Sequence, residues 1–486
     1  MLENIVPLWL YLQLTIVLFS FLYIIVTEKN KILKQIKSNK SLYVLLSIII
    51  IVGFGIRIIN IVHSEYIVVD NSDYILKGTI ISETGRFLHG YTNAPLFASI
   101  ISLFIKTVNY NPSLGSILSV MFGTLSILLA FIFVRLFLKN NIVAILTAII
   151  LCFSNLHYDA SVNGGPLGLS VFFIFLTLVL LEYIVITKKK NYVILLGIIS
   201  GLSAQIYYVE LILVIPIILY IILNKIKIKY VIIFLGIIFV SVIPFSLYQY
   251  SEPHPPLVHK YYKPSGLNKI ACFWFKDKCR FLTINKIESE FPAINSHESR
   301  FYSYFSYLFL GEGRGYSERK IIDGKVLAPI TIFWNNAEID NNVYKLYFLL
   351  SLFGLFHLRL HMKKFLLMFI TFLSFFIVYG SYKWQIFIYM MQIESIVVIP
   401  LVAYGTYMIA RRFPKNINLI FIIIITIILI SPFFTQNHIR DYSDYSMFNK
   451  NNKQTILDWW SNPFCGVPLT EIEPYCKLIA NKIKES

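Results

Sequence analysis

Apolar residues fill this chain in long runs where no polar face recurs. Leu45 to Ile59, Val171 to Ile186 and Leu419 to Ile430 show this pattern most clearly, the pattern of helices surrounded by apolar material and not of amphipathic surface helices. A hydrocarbon core about 30 Å thick takes roughly 20 residues of helix to cross, fewer where protein shields the ends. The runs predict about twelve crossings: residues 5–26, 42–63, 113–138, 141–157, 165–186, 192–207, 209–223, 229–248, 343–360, 364–381, 386–410 and 416–436.

Polar positions between the runs alternate in character. Basic residues gather in every second short turn: Lys29 to Lys40, Arg135 with Lys139, Lys188 to Lys190, Lys225 to Lys229, Arg359 with Lys363 and Lys364, and Arg411 to Lys415. Retained positive turns mark the cytoplasmic side. Both termini then face outward, with the stretches 64–112, 249–342 and 437–486 on the same outer side. The first run lacks a basic start and a small-residue cleavage site, so it reads as a retained helix.

Composition narrows the classes further. Of 486 residues, 57% are hydrophobic and 14% charged, against about 25% charged in soluble domains. A soluble multidomain enzyme, a disordered chain and a disulfide scaffold are excluded. The net charge of +17 belongs to the turns between spans, so the partner it implies is a lipid bilayer and no nucleic acid. Cys272 with Cys279 and Cys465 with Cys476 fall in outer segments where an oxidising compartment would let each pair bridge, whereas Cys152 lies in a span.

The organisation read from these patterns is all-α and polytopic. Residues 1–41 form an extra helix and a basic loop, 42–248 a membrane core, 249–342 a large outer loop, 343–436 the last spans and 437–486 an outer tail. Within the first outer loop, 64–112, Pro95 to Lys106 reads as a helix lying in the interface. The same loop holds Asp70, in the sequence Val69-Asp70-Asn71-Ser72-Asp73-Tyr74. A carboxylate at a water boundary beside a low-dielectric wall suits a general base. The plainer reading is an N-cap for the helix that follows, Tyr74 to Thr84.

The series Asp70, Tyr74, Gly85, Tyr91, Pro95 resembles the first outer loop of GT-C glycosyltransferases of the protein O-mannosyltransferase and aminoarabinose-transferase type. The resemblance runs on through Leu114 to Phe137, Val143 to Ser154 and the helix from Pro166. It is fainter in Gly197 to Pro216 and Lys383 to Tyr389. Departures stand at Asn71, where the family often has Glu, at Ala94, where aminoarabinose transferases have a Lys before the proline, at Gly165, near where a second carboxylate is frequent, and at Tyr207, which replaces a common Lys. They argue against the aminoarabinose reaction and a close protein O-mannosyltransferase. The resemblance implies a GT-C-like bundle of about 12 transmembrane helices whose outer first loop carries interfacial helices.

It also implies a sugar donor on a polyprenyl phosphate, a lipid, glycan or protein acceptor, and Asp70 as base, with Asp73 its support or substitute. A departing phosphate requires cations, for which Lys383 comes first, then Arg86 and one of Arg314, Arg319 or Lys320. Lys383 equally suits a helix anchor, and the loop arginines suit solvated surface charge. Tyr74, Arg86, Tyr91, Asp159, Tyr207, Glu210 and Lys383 make up the expected substrate-binding set. Asp159 otherwise reads as a loop-turn residue and Asp73 as a first-turn acid.

Glu210 and Glu394 lie in apolar stretches, where they would line a lipid-phosphate site or lock helix packing; Glu182 reads as a snorkelling acid. No certain cofactor is implied. A divalent metal between Asp70 and Asp73 would have a poor cage, and no Cys/His cluster has zinc spacing. Asp458-Trp459-Trp460 has the wrong order for an oligosaccharyltransferase signature, and Gly311 to Gly315 is no phosphate loop. The alternatives are a transporter or flippase of lipid-linked sugars, whose expected repeats are not evident, and a polysaccharide polymerase or ligase.

Overall fold

In the computed structural model, each of the twelve apolar segments is helical throughout or nearly throughout its described part. The structure describes residues 2–63, 66–87, 94–108, 111, 113–162, 164–251, 321–322, 325–326, 341–380, 392–435 and 447–449. Both expected disulfide pairs, Cys272 with Cys279 and Cys465 with Cys476, lie outside these residues. Cys152 is free and buried.

Two long helices open the chain, α1 (Leu2–Ser38) and α2 (Lys40–His63). The connection to the next span follows as a short strand, β1 (Tyr66–Val68), and two helices, α3 (Val69–Thr84) and α4 (Pro95–Val108). The central bundle comprises α5 (Leu114–Leu138), α6 (Asn141–Cys152), α7 (Asn155–Val162), α8 (Leu167–Thr187), α9 (Tyr192–Ala204), α10 (Val214–Leu223) and α11 (Ile228–Ser251). Two two-residue strands, β2 (Ile321–Ile322) and β3 (Lys325–Val326), form a small ladder. The last helices are α12 (Asn341–Leu358), α13 (Met362–Gly380), α14 (Ile399–Ala410) and α15 (Lys415–Thr435), before the strand β4 (Met447–Asn449).

Among the described residues, seven helical runs are long and apolar enough to cross a membrane, or up to eight if the bent pair α6 and α7 is one span. Pro95–Val108, Tyr192–Ala204, Glu210–Leu223 and Glu394–Ala410 are shorter apolar helices. Short helices are tolerated at membrane depth where neighbouring protein covers their ends. One of the seven runs, Lys345–Ile377, passes through a 3-10 turn at Arg359–His361. Before the turn, Tyr347 bonds to the Leu429 carbonyl and Phe353 lies under Arg412; after it, Lys364 lies over Phe137.

The basic turns meet at one end of the bundle. Lys189 bonds Glu28 at 2.8 Å, Arg135 bonds the Tyr43 hydroxyl, and Lys190 sits 5.7 Å over the Tyr230 ring. Glu182, expected to snorkel, is instead 2% exposed there, hydrogen-bonded to Tyr220 with Lys364 in electrostatic reach. Helices α10 and α13 close over it, so a cation and a hydroxyl take the place of water.

Inside the bundle, α12 and α14 touch backbone to backbone. A methyl group on Gly354 would strike the Leu401 carbonyl, and one on Gly405 the Leu350 carbonyl. Small residues let apolar helices approach closely where no hydrophobic force separates lipid from side chain. At Pro244 the ladder of α11 loses an N–H donor. In that turn the Ser241 carbonyl accepts from Trp9 Nε1 at 3.1 Å and from the amides of Gln13 and Gln205, each at 3.2 Å. These bonds dock α1 onto α11 beside the end of α9.

Candidate active site

The segment between α2 and α5 is a helical hairpin, α3 with α4. Helix α3 begins at Val69, a turn earlier than the apolar pattern predicted. Asp70 is therefore its second residue and not its N-cap, and Asp73 is its fifth, just beyond the first turn. An acid in the first turn is favoured by the free N–H groups and helix dipole. The backbone of both is described; their side chains lie outside the described set. Gly85 closes the helix with φ +71° and donates its N–H to the Ile81 carbonyl at 2.9 Å. This is the left-handed stop that glycine adopts without a Cβ penalty. Pro95 opens α4 at the first helical position, where its missing N–H costs nothing.

Tyr74 ties the two helices together. It is buried, with its ring edge-to-face with Phe97 at 5.4 Å and Lys77 Nζ 5.0 Å above it. Helix α4 is a helix, as expected, but it is covered rather than lying on a surface. Pro95 to Ser102 and Ile105 are buried, and only its last turn and Leu103 are exposed. Ser102 Oγ meets the Tyr11 hydroxyl at 2.9 Å, and Phe87 beyond α3 packs on Tyr248. The hairpin therefore rests on α1 and the far end of α11, away from the basic turns.

Behind it lies a buried polar cluster. The chain bends by 57° between α6 and α7, turning the whole of α7 into the interior. Arg57, from α2, has no exposure; it donates to the Gly53 carbonyl at 2.8 Å, the Cys152 carbonyl at 3.1 Å and His157 Nδ1 at 3.0 Å. Because arginine only donates, Nδ1 of His157 accepts, and its Nε2–H donates to Ser126 Oγ at 2.8 Å. Asp159, expected in a loop, is 5% exposed within α7 and in electrostatic reach of Arg57. The Tyr158 ring lies 5.5 Å from the guanidinium.

A second cluster surrounds Glu210, in the 3-10 helix Tyr208–Leu213. Its carboxylate accepts from Ser170, Ser203 and Gln392. Two residues beyond Gln392, Glu394 accepts from Ser154 Oγ at 2.8 Å, and Ser154 Oγ in turn accepts the backbone N–H of His157 at 3.3 Å. Gln392 and Glu394 thus grip different clusters at the start of one helix. The turn between them and α14 is widened into a π-helix, Glu394–Val398, a form often found at functional sites.

Asp70, Asp73 and Tyr74 share the opening turns of α3, whereas Arg86 is exposed just past its opposite end, about 24 Å along the axis from Asp70. Asp159 and Glu210 occupy the two interior clusters. Tyr207 is half-buried ahead of the 3-10 helix. Tyr91 and Lys383 lie outside the described residues, as do Arg314, Arg319 and Lys320. Sequence reasoning passed over Arg57, although a lone arginine inside an apolar run is itself a signal. It also missed Gln392, Ser126, Ser154, Ser170 and Ser203, which carry none. No group of three or more His, Cys, Asp or Glu that could hold a metal occurs among the described residues.

Residues 92–248 match the family model for dolichyl-phosphate-mannose-protein mannosyltransferase, which bears out the resemblance to GT-C superfamily glycosyltransferases. No curated protein matches significantly in sequence. Among solved structures, the apo oligosaccharyltransferase of Archaeoglobus fulgidus is 12% identical, with a TM-score of 0.49 over 81% of this chain and 55% of that one. The same organism's AglB in complex with an inhibitory peptide and a dolichol-phosphate is 11% identical, with a TM-score of 0.49 over 82% and 55%. The chain therefore spans little more than half the length of these proteins.

Proposed function

We propose that this chain is a membrane glycosyltransferase of the GT-C type and that it transfers a sugar from a polyprenyl-phosphate donor to a lipid, glycan or protein acceptor at the outer face. The observation that carries the reading is the match of residues 92–248 to a lipid-phosphate-sugar-dependent mannosyltransferase family, directly after a helix that opens with Asp70 and Asp73. The end of the bundle away from the basic turns is then the outer one. Asp70 acts as base: its carboxylate takes the proton of the acceptor hydroxyl as that oxygen attacks the anomeric carbon. The bond from that carbon to the phosphate oxygen breaks on the opposite face, its electron pair leaves with the polyprenyl phosphate, and the configuration inverts.

General-base assistance supplies about 10² to 10⁴ in rate; positioning and phosphate stabilisation supply the remainder. Lys383 is the cation assigned to the departing phosphate, and Asp73 supports Asp70; Arg86, about 24 Å along α3 from Asp70 at 1.5 Å per residue, stands too far off to share that phosphate. Tyr74 and Tyr91 shape the acceptor side of the loop. Asp159, Tyr207 and Glu210 form the inner wall. Purified wild-type protein and Asp70→Asn, given a panel of polyprenyl-phosphate sugars, test the reading. The expected result is sugar transfer by the wild type and a loss of at least about 10²-fold in the variant. Equal turnover by both removes Asp70 from the mechanism, and movement of intact lipid-linked sugar without bond cleavage makes the protein a transporter.

A further inference from the structure

The C-terminal chain returns to the base of the Asp70 helix. Strand β4 pairs antiparallel with β1, Tyr66 opposite Asn449, Ile67 opposite Phe448 and Val68 opposite Met447. No residue separates β1 from α3, so the ladder ends at Val68, two positions before Asp70. A second contact lies on the same stretch of chain. Phe433, near the end of α15, is buried with its ring 5.2 Å from Tyr158 and 5.4 Å from Phe153. Ile61, near the end of α2, belongs to the same cluster. The tail is thus held by an aromatic wedge where it leaves the bundle and by a strand where it passes the start of α3.

From this pairing we infer that the tail positions the proposed base: Met447–Asn449 holds the backbone that carries Asp70, without touching the substrate. The inference rests on the reading of Asp70 given above. Strand β1 is three residues long and has β4 as its partner. A strand so short keeps an extended backbone only while it is paired. The first turn of a helix is the costly part to form and has free N–H groups. A residue in that turn therefore takes its alignment from what fixes the chain before it. Displacement of a reacting group by about 1 Å costs on the order of 10²-fold in rate.

The test uses the full-length protein in lipid nanodiscs. Ile67→Cys combined with Phe448→Cys is oxidised, and the cross-linked peptide is sought by mass spectrometry, each single variant serving as control. Proline is then placed at Met447 and at Phe448 in turn. Adjacent N–H groups of a strand point to opposite edges, so one of the two prolines removes a ladder bond. That variant is expected to speed amide exchange at residues 69–73 and to lower kcat by about 10- to 100-fold with the donor KM unchanged. Deletion of everything after Thr435 is expected to do the same, and the oxidised cysteine pair to keep the wild-type rate. Absence of the cross-link overturns the pairing. A cross-link accompanied by wild-type exchange and kcat in both prolines and in the deletion overturns the positioning role. If the wild type transfers no sugar, the functional reading fails on its own, and cross-linking and exchange still decide whether the tail holds the helix.

Discussion

Arg57 Nη2 donates to His157 Nδ1 across 3.0 Å, and neither side chain meets solvent. The bond commits His157 to the tautomer with its proton on Nε2, because a protonated Nδ1 could not face an arginine donor. The same guanidinium reaches the carbonyls of Gly53 and Cys152. One side chain therefore joins α2 to the bend between α6 and α7.

Arg57→Met is expected to lower stability by about 3 kcal/mol, since it leaves His157, the Cys152 carbonyl and Asp159 buried without their cation. Arg57→Lys should recover little, because a point charge cannot span three acceptors as a planar fork does. Thermal unfolding in detergent measures both. A wild-type midpoint for Arg57→Met would show that the cluster does not hold the bend.

Gly354→Ala and Gly405→Ala should each cost about 1–3 kcal/mol by pushing α12 and α14 apart. Each methyl collides with backbone of the other helix, so separation forced by one makes room for the other. The double variant should therefore cost less than the sum. Strict additivity in the unfolding free energies would refute the shared contact.

Glu210 offers a direct choice between packing and substrate binding. Its carboxylate accepts from Ser170, Ser203 and Gln392, and replacement by leucine strands those donors at a cost of about 2–3 kcal/mol. Glu210→Gln keeps an acceptor oxygen and should cost under about 1 kcal/mol. Stability near the wild type combined with a collapsed kcat in Glu210→Gln would assign the residue to the substrate. Parallel small losses in both would leave it a helix lock.

At the basic end, the Lys189 ammonium is held above its ordinary pKa by its hydrogen bonds to Glu28 and the Tyr183 hydroxyl. A raised folded-state value contributes stability that is fully present below the unfolded value, about 10.4, and fades as pH climbs through the folded one. Between about pH 6 and 9 the pair should therefore add no slope to stability. Lys189→Met is expected to shift the unfolding midpoint equally at both limits, and a difference between them would contradict the assignment.

Much of this arrangement was legible as pattern. The apolar runs located the helices, because a backbone in lipid must satisfy its own hydrogen bonds and a helix does so locally. Asp70, Gly85 and Pro95 could be placed because each acts through backbone chemistry near in sequence: a first helical turn, a left-handed stop and a proline start. The interior clusters were not legible. Ser154 meets Glu394 and Ser170 meets Gln392 across more than two hundred residues, and an isolated serine carries no mark of the carboxylate it will satisfy. Asp159 looked like a loop residue because the bend that buries it depends on partners from α2, α5 and the π-helix.

The linear order of residues determined a helical membrane protein, the turns that carry its positive charge and the segment that resembles a sugar transferase, since hydrophobicity, charge and capping act over one or two helical turns. Tertiary structure alone decided that α4 is covered, that Arg57, His157 and Glu394 share one buried network, and that the tail returns to the strand before Asp70. Those outcomes depend on which helices meet. Burial and hydrogen-bond satisfaction are properties of the assembled bundle, where a polar group removed from water must find whichever donor or acceptor the packing brings to it.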